Sequence, residues 1–133
     1  MPRRVLDTNI LINHWGDKLR SQRREELSET MAQQWARELI ALTGAAAILT
    51  PVYLEYICGQ TSATRVRLAR AYLSVFEVAD QGRILDDDWR RARQIAERVP
   101  RTGHRRQLGD CLIRAICDRL NLDLFTVDQR FPH

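Results

Sequence analysis

The stretch Ala47-Ile48-Leu49-Thr50-Pro51-Val52-Tyr53-Leu54-Glu55-Tyr56-Ile57-Cys58-Gly59 decides how the whole chain is read. Ala47 to Leu49 is a short apolar run bounded by a turn signal, the pattern of a buried strand. Thr50-Pro51 then opens a helix, with a hydroxyl at the N-cap and proline at the first helical position, where a missing N–H is tolerated. That helix carries Val52, Leu54, Glu55 and Cys58, and Gly59 can stop it. A buried strand that passes straight into a helix is half of a βαβ unit, the building block of parallel sheets.

The same alternation extends outward in both directions. Toward the N-terminus, Arg3 to Leu6 reads as a buried strand and Asn9 to Trp15 as a helix. Residues 17–30 are highly charged and read as a surface loop or helix start. Ser28, Met31, Trp35, Leu39, Ile40 and Leu42 outline an amphipathic helix that Gly44 ends. Toward the C-terminus, Thr61 or Ser62 opens a helix through Val66, Leu68, Ala69, Tyr72 and Leu73. Val75 to Ala79 is a third strand. Asp86-Asp87-Asp88 supplies the N-cap and first-turn charges of a helix through Trp89, Ala92, Ile95, Ala96 and Val99. Thr102 to Arg106 is a basic loop, Gly109 to Leu120 a helix and Leu122 to Val127 a strand. Strands alternating with helices predict an α/β fold, a central parallel sheet flanked by helices, as one domain over residues 1–133.

Composition fits that expectation. The chain has 133 residues, 44% hydrophobic and 29% charged, which excludes general disorder. No apolar run approaches the roughly 18 residues of a membrane span, and Asp7 comes too early for a secretory signal. A cytoplasmic protein is expected. Cys58, Cys111 and Cys117 have no C-x-x-C spacing and read as small core residues. His14, His104 and His133 are too scattered for a zinc site. The net charge is +4, and Lys18 is the only lysine among 21 cationic residues. Such an arginine-rich surface is compatible with a polyanion, although charge alone favours solvated helix faces.

In parallel sheets, ligands bind beyond the carboxyl ends of the strands. Asp7 ends the first strand, and Asp128 follows Leu124-Phe125-Thr126-Val127. Glu55 sits one turn into the helix after the second strand. Asp110 stands in the first turn of its helix, about 60° from Ile113 and about 20° from Cys117 around the axis, so it lies on the apolar stripe. Singly, each acid has an ordinary explanation as a cap or turn residue. Four converging on one edge repel one another unless protonated or bridged by cations. An all-oxygen set selects hard ions such as Mg2+ or Mn2+. The chemistry that follows is phosphoryl transfer or phosphodiester hydrolysis by metal-activated water, without a protein nucleophile and with arginines along the nucleic-acid backbone.

Four segments carry a family resemblance. They are Val5-Leu6-Asp7-Thr8-Asn9-Ile10-Leu11-Ile12, Thr50 to Gly59, Gly109-Asp110-Cys111-Leu112-Ile113-Arg114-Ala115-Ile116, and Leu124-Phe125-Thr126-Val127-Asp128-Gln129-Arg130-Phe131. In this order and at these intervals, the chain resembles the PIN-domain ribonucleases, especially the VapC-like toxins of type II toxin–antitoxin modules. The resemblance implies a three-layer sandwich and an acidic metal site of Asp7, Glu55, Asp110 and Asp128. It implies Thr8 or Asn9, and Thr126, as polar residues that orient carboxylates or water. It also implies an RNA substrate, a cognate antitoxin that covers or enters the site, and a homodimer. Arg114 departs from the usual small residue and either pairs with Asp110 or reaches toward RNA. The charged segment from Asp17 to Glu29 is longer than usual, and relatives continue past the position of His133 into an edge strand.

Other polar and aromatic residues have plainer readings. Asp118 and Asp123 read as surface or turn acids. Trp15, Trp35 and Trp89 read as core or interface residues rather than base-stacking platforms. His104, Arg105 and Arg106 form either a solvated loop or a contact to RNA phosphates. Leu68, Tyr72 and Leu73 either pack in the core or line an antitoxin groove. Two other functions compete with the nuclease. One is a catalytically weak RNA-binding or interaction module of the same fold. The other is a phosphatase using a strand-end aspartate, disfavoured because Asn9 stands where D-x-D-x-T requires a second aspartate.

Overall fold

A computed structural model describes residues 3–21, 27–98 and 107–127. In chain order the elements are β1 (Arg3–Leu6), α1 (Thr8–Ser21), α2 (Glu29–Thr43), β2 (Ala47–Ile48), α3 (Thr50–Cys58), α4 (Ala63–Leu73), β3 (Glu77–Val78), α5 (Asp86–Ala96), α6 (Leu108–Leu120) and β4 (Leu122–Phe125). The strands form one all-parallel sheet in the order β3-β2-β1-β4, flanked by the helices in an α/β three-layer arrangement. Chain order and spatial order differ, so β1 lies between β2 and the last described strand. Register pairs Val5 with Ala47 on one side, and Val5 with Leu124 and Leu6 with Phe125 on the other. All carboxyl ends therefore open on one edge.

Local signals place most elements. The Ser28 side chain accepts a hydrogen bond from the Met31 N–H at the start of α2, and Gly44 closes that helix at φ 69°, a left-handed value that suits glycine. Ser62 does the same for α4 through the Arg65 N–H. The core runs through Val5, Leu6, Leu11, Trp35, Ile48, Leu49, Tyr72, Ile95, Ile113 and Ile116, all nearly or fully buried. Trp15 packs edge-on against Trp35 and Tyr72, with ring centroids 4.8 and 5.1 Å apart. Tyr72 and Leu73 belong to this core, and Leu68 is buried as well. No helix among the described residues is long and apolar enough to cross a membrane.

Several expectations need correction. The helix that opens at Thr8 does not stop at Trp15 but runs to Ser21. Leu19 packs on the core, Lys18 bonds Glu38 of α2 at 2.7 Å and Arg20 pairs with Asp17, so the charged segment continues the helix. Thr50 is not the N-cap of α3. Leu49 holds that position without a side-chain bond, and Thr50 is the first helical residue. Its N–H and hydroxyl both donate to Asp80, the hydroxyl at 2.7 Å. Asp86 likewise is not a cap, since Leu85 precedes α5. Asp88 is buried there, accepting from the Leu85 N–H and from Arg119 Nε and Nη2 at 2.7 and 2.9 Å. Cys111 and Cys117 are core residues, but Cys58 is exposed. Trp89 is half exposed on α5, so of the core and interface readings only the interface stays open. Strands two to four are each shorter than expected, because backbone pairing ends before the apolar run does. Asp118 and Asp123 are surface acids as expected, paired with Arg91 and Arg4.

Candidate active site

The site grows from the end of β1. The Asp7 N–H donates to the Phe125 carbonyl at 3.0 Å, so β1–β4 pairing carries one residue past the strand. That pairing sets Thr126 beside Asp7, and its hydroxyl donates to Asp7 Oδ2 at 2.7 Å. Asp7 Oδ1 accepts from the Thr8 N–H at 2.8 Å. Asp7 is only 3% exposed, and a buried carboxylate requires such donors. Thr8 faces the other way as well, its hydroxyl donating to Glu55 Oε2 at 3.2 Å. A continuous chain of hydrogen bonds thus joins Thr126, Asp7, Thr8 and Glu55.

Glu55 comes from α3, which starts directly beyond β2. Burial raises the affinity of its carboxyl for a proton above the ordinary value, the Thr8 hydrogen bond opposes this, and the charge of Asp7 adds to the rise. Asp110 comes from the first turn of α6. Asp7, Thr8, Asn9, Glu55, Gln107, Leu108, Gly109 and Asp110 line one open cleft of about 480 Å³. Three acids separated by up to about a hundred residues in sequence therefore share one mouth at the sheet edge.

The remaining expected site residues are placed differently. Asp128, Arg105, Arg106 and His104 lie outside the described residues. Arg114 is half-buried one turn beyond Asp110, where the cleft lining does not reach. Sequence reading missed Asp80, Gln107 and Gly109. Asp80 follows β3 just as Asp7 follows β1, so the strand-end rule could have found it. Its carboxylate, however, is occupied with the start of α3. Gln107 and Gly109 carried no signal in the sequence, Gln107 entering only as cleft lining and Gly109 through its closeness to Glu55.

Among the described residues, no group of three acidic, histidine or cysteine side chains is close enough to hold a metal ion. The donor chemistry nevertheless fits a hard cation. Asp7, Glu55 and Asp110 bring oxygen ligands, and among the described residues neither histidine nor cysteine lines the cleft. Each carboxylate oxygen that accepts one hydrogen bond keeps a second lone pair. Burial pushes the Cys117 thiol up to about 12, so that cysteine stays protonated and takes no part.

A search of curated proteins and a search of solved structures each found no match. A family model described as the PIN domain matches residues 4–133, nearly the whole chain. PIN domains are typically metal-dependent nucleases acting on nucleic acid, and an acid-lined strand edge suits that chemistry. The chain belongs to the PIN-domain family.

Proposed function

We propose that this protein is an Mg2+- or Mn2+-dependent endoribonuclease and the toxin component of a type II toxin–antitoxin module. The observation that carries the reading is the meeting of Asp7, Glu55 and Asp110 at one cleft, where Thr126 and Thr8 tie Asp7 to Glu55. These acids, with Asp128, would hold the ion, which supplies Lewis-acid activation of water for attack at phosphorus. Thr126 and the Thr8 N–H fix the Asp7 carboxylate in one orientation, so it is preorganised before substrate arrives. Thr8 couples that carboxylate to Glu55, its N–H donating to Asp7 and its hydroxyl to Glu55. Glu55 binds a proton more readily than an ordinary glutamate, which suits it to exchange protons with water in the cleft. Arg105, Arg106 and Arg114 are the candidates to grip the RNA backbone, by charge rather than by sequence.

Asp7→Asn and Asp110→Asn are expected to abolish Mn2+-dependent cleavage of RNA while the thermal melt keeps its cooperativity. Full activity in either purified variant overturns the reading. Growth arrest on expression, relieved by a small co-expressed partner, tests the toxin role, and gel filtration of the pure protein tests the homodimer.

A catalytically weak RNA-binding module is the second reading. The spacing of the described carboxylates favours it, since no three approach closely enough to ligate one ion. RNA binding without turnover at saturating Mn2+ would select it.

A further inference from the structure

Gly109 is the second residue of α6, inside a helix, where glycine is among the poorest formers. Backbone conformation does not explain it, since the positive-φ glycines among the described residues are Gly44 and Gly82. Space does. A Cβ placed on Gly109 would overlap Glu55 Oε1 and lie 3.2 Å from Glu55 Cδ. The other oxygen of the same carboxylate is held by the Thr8 hydroxyl at 3.2 Å. Glu55 is thus seated between a hydroxyl on α1 and bare backbone in the first turn of α6, one residue before Asp110.

We infer that Gly109 is a positioning residue, whose missing side chain sets where the Glu55 carboxylate sits beside Asp110. The atom that a methyl group would displace is the far end of a flexible side chain rather than backbone. The fold can therefore accept the methyl, and Glu55 must give way. Alanine also favours the helix, so a variant here separates function from stability. The helix gains while the carboxylate is driven off its seat. The consequence for metal binding rests on the nuclease reading above, whereas the seating of Glu55 does not.

The test uses the full chain with and without Mn2+. Carboxyl-carbon NMR of metal-free protein identifies the Glu55 resonance by its loss in Glu55→Gln. Gly109→Ala is expected to move that resonance, leave the other glutamates in place, and hold or raise the melting temperature. An unmoved Glu55 resonance, or a lowered melting temperature, overturns the inference. Mn2+ titration followed by electron paramagnetic resonance gives the second readout. Gly109→Ala is expected to weaken binding about tenfold to a hundredfold, the range for residues that orient a ligand. Glu55→Asp, one methylene shorter, should recover part of that loss when combined with Gly109→Ala. Equal Mn2+ affinity in Gly109→Ala and the parent, or the same loss when Glu55 is already glutamine, overturns the positioning role. If the parent binds no Mn2+, the nuclease reading fails, and the NMR result still decides the seating of Glu55.

Discussion

Replacing Asp80 with alanine tests how α3 is anchored. Asp80 is 4% exposed and reaches the first turn of α3 from beyond β3. Its carboxylate accepts the Thr50 hydroxyl at 2.7 Å and the Thr50 N–H at 3.1 Å, with a weaker approach from the Gly82 N–H at 3.4 Å. Leu49 gives the helix no side-chain cap, so Asp80 performs that work from a distance. Loss of a cap costs about 1 kcal/mol. Loss of a hydrogen bond to a charged group costs about 1.5–3 kcal/mol, and the stranded Thr50 hydroxyl can turn toward water. The sum is about 3 kcal/mol. Unfolding entropy near 2.1 cal/mol/K per residue, over 133 residues, converts this to a fall of about 10 °C in melting temperature. Circular dichroism melts of the parent and Asp80→Ala measure it directly. Thr50→Val keeps the N–H bond and should lose about a third as much. A fall of under about 2 °C in Asp80→Ala would refute the idea that this carboxylate caps α3.

Further tests address other contacts. Arg119→Met strands the buried Asp88 carboxylate with only the Leu85 N–H, and should cost about 3 kcal/mol, discounted because Arg119 itself is partly exposed; adding Asp88→Asn should return much of the loss in a denaturant series. Thr126→Val removes the hydroxyl that holds the buried Asp7 Oδ2, and initial rates of RNA cleavage should drop about tenfold, with a fall of about 5 °C in melting temperature from the lost bond to a charged group. Burial holds the His14 imidazole below its ordinary 6.5, Lys18 pushes the same way, and Glu38 and Asp17 oppose. The folded state thus binds fewer protons than the unfolded chain, so stability is lost as pH falls from 6.5 through the lower folded value. Melts at about pH 7.5 and about pH 5.5 should show that loss in the parent and not in His14→Phe.

The sequence made the layers legible because local chemistry places them. Strands are short apolar runs, Ser28 and Ser62 cap their helices, and Gly44 supplies a left-handed stop. The meeting of Asp7, Glu55 and Asp110 at one cleft was legible for a topological reason. In a parallel sheet every strand ends on the same edge, which brings together Asp7 after β1 and Glu55 in the helix after β2, while the place of Asp110 on the apolar stripe of α6 turned it inward. What stayed hidden depends on partners far away in the chain. Thr50 resembled a cap until Asp80, 30 residues on, took its hydroxyl. Asp88 looked like one of three solvated first-turn charges, and only its contact with Arg119 distinguishes it. The charged end of α1 resembled a loop because its partner Glu38 sits on another helix. Gly109 was silent because the meaning of an absent side chain depends on what fills the space.

Pairing the first strand with the last described one also bears on how the protein is made. Asp7 leaves the ribosome early, yet its backbone partner Phe125 and its hydroxyl donor Thr126 are synthesised 118 and 119 residues later. Contacts of such long sequence separation form late and slow the search for the native state. During most of translation, the Asp7 carboxylate has the neighbouring Thr8 N–H at hand but lacks the Thr126 hydroxyl. The second donor to this carboxylate is therefore in place only once β4 has docked beside β1.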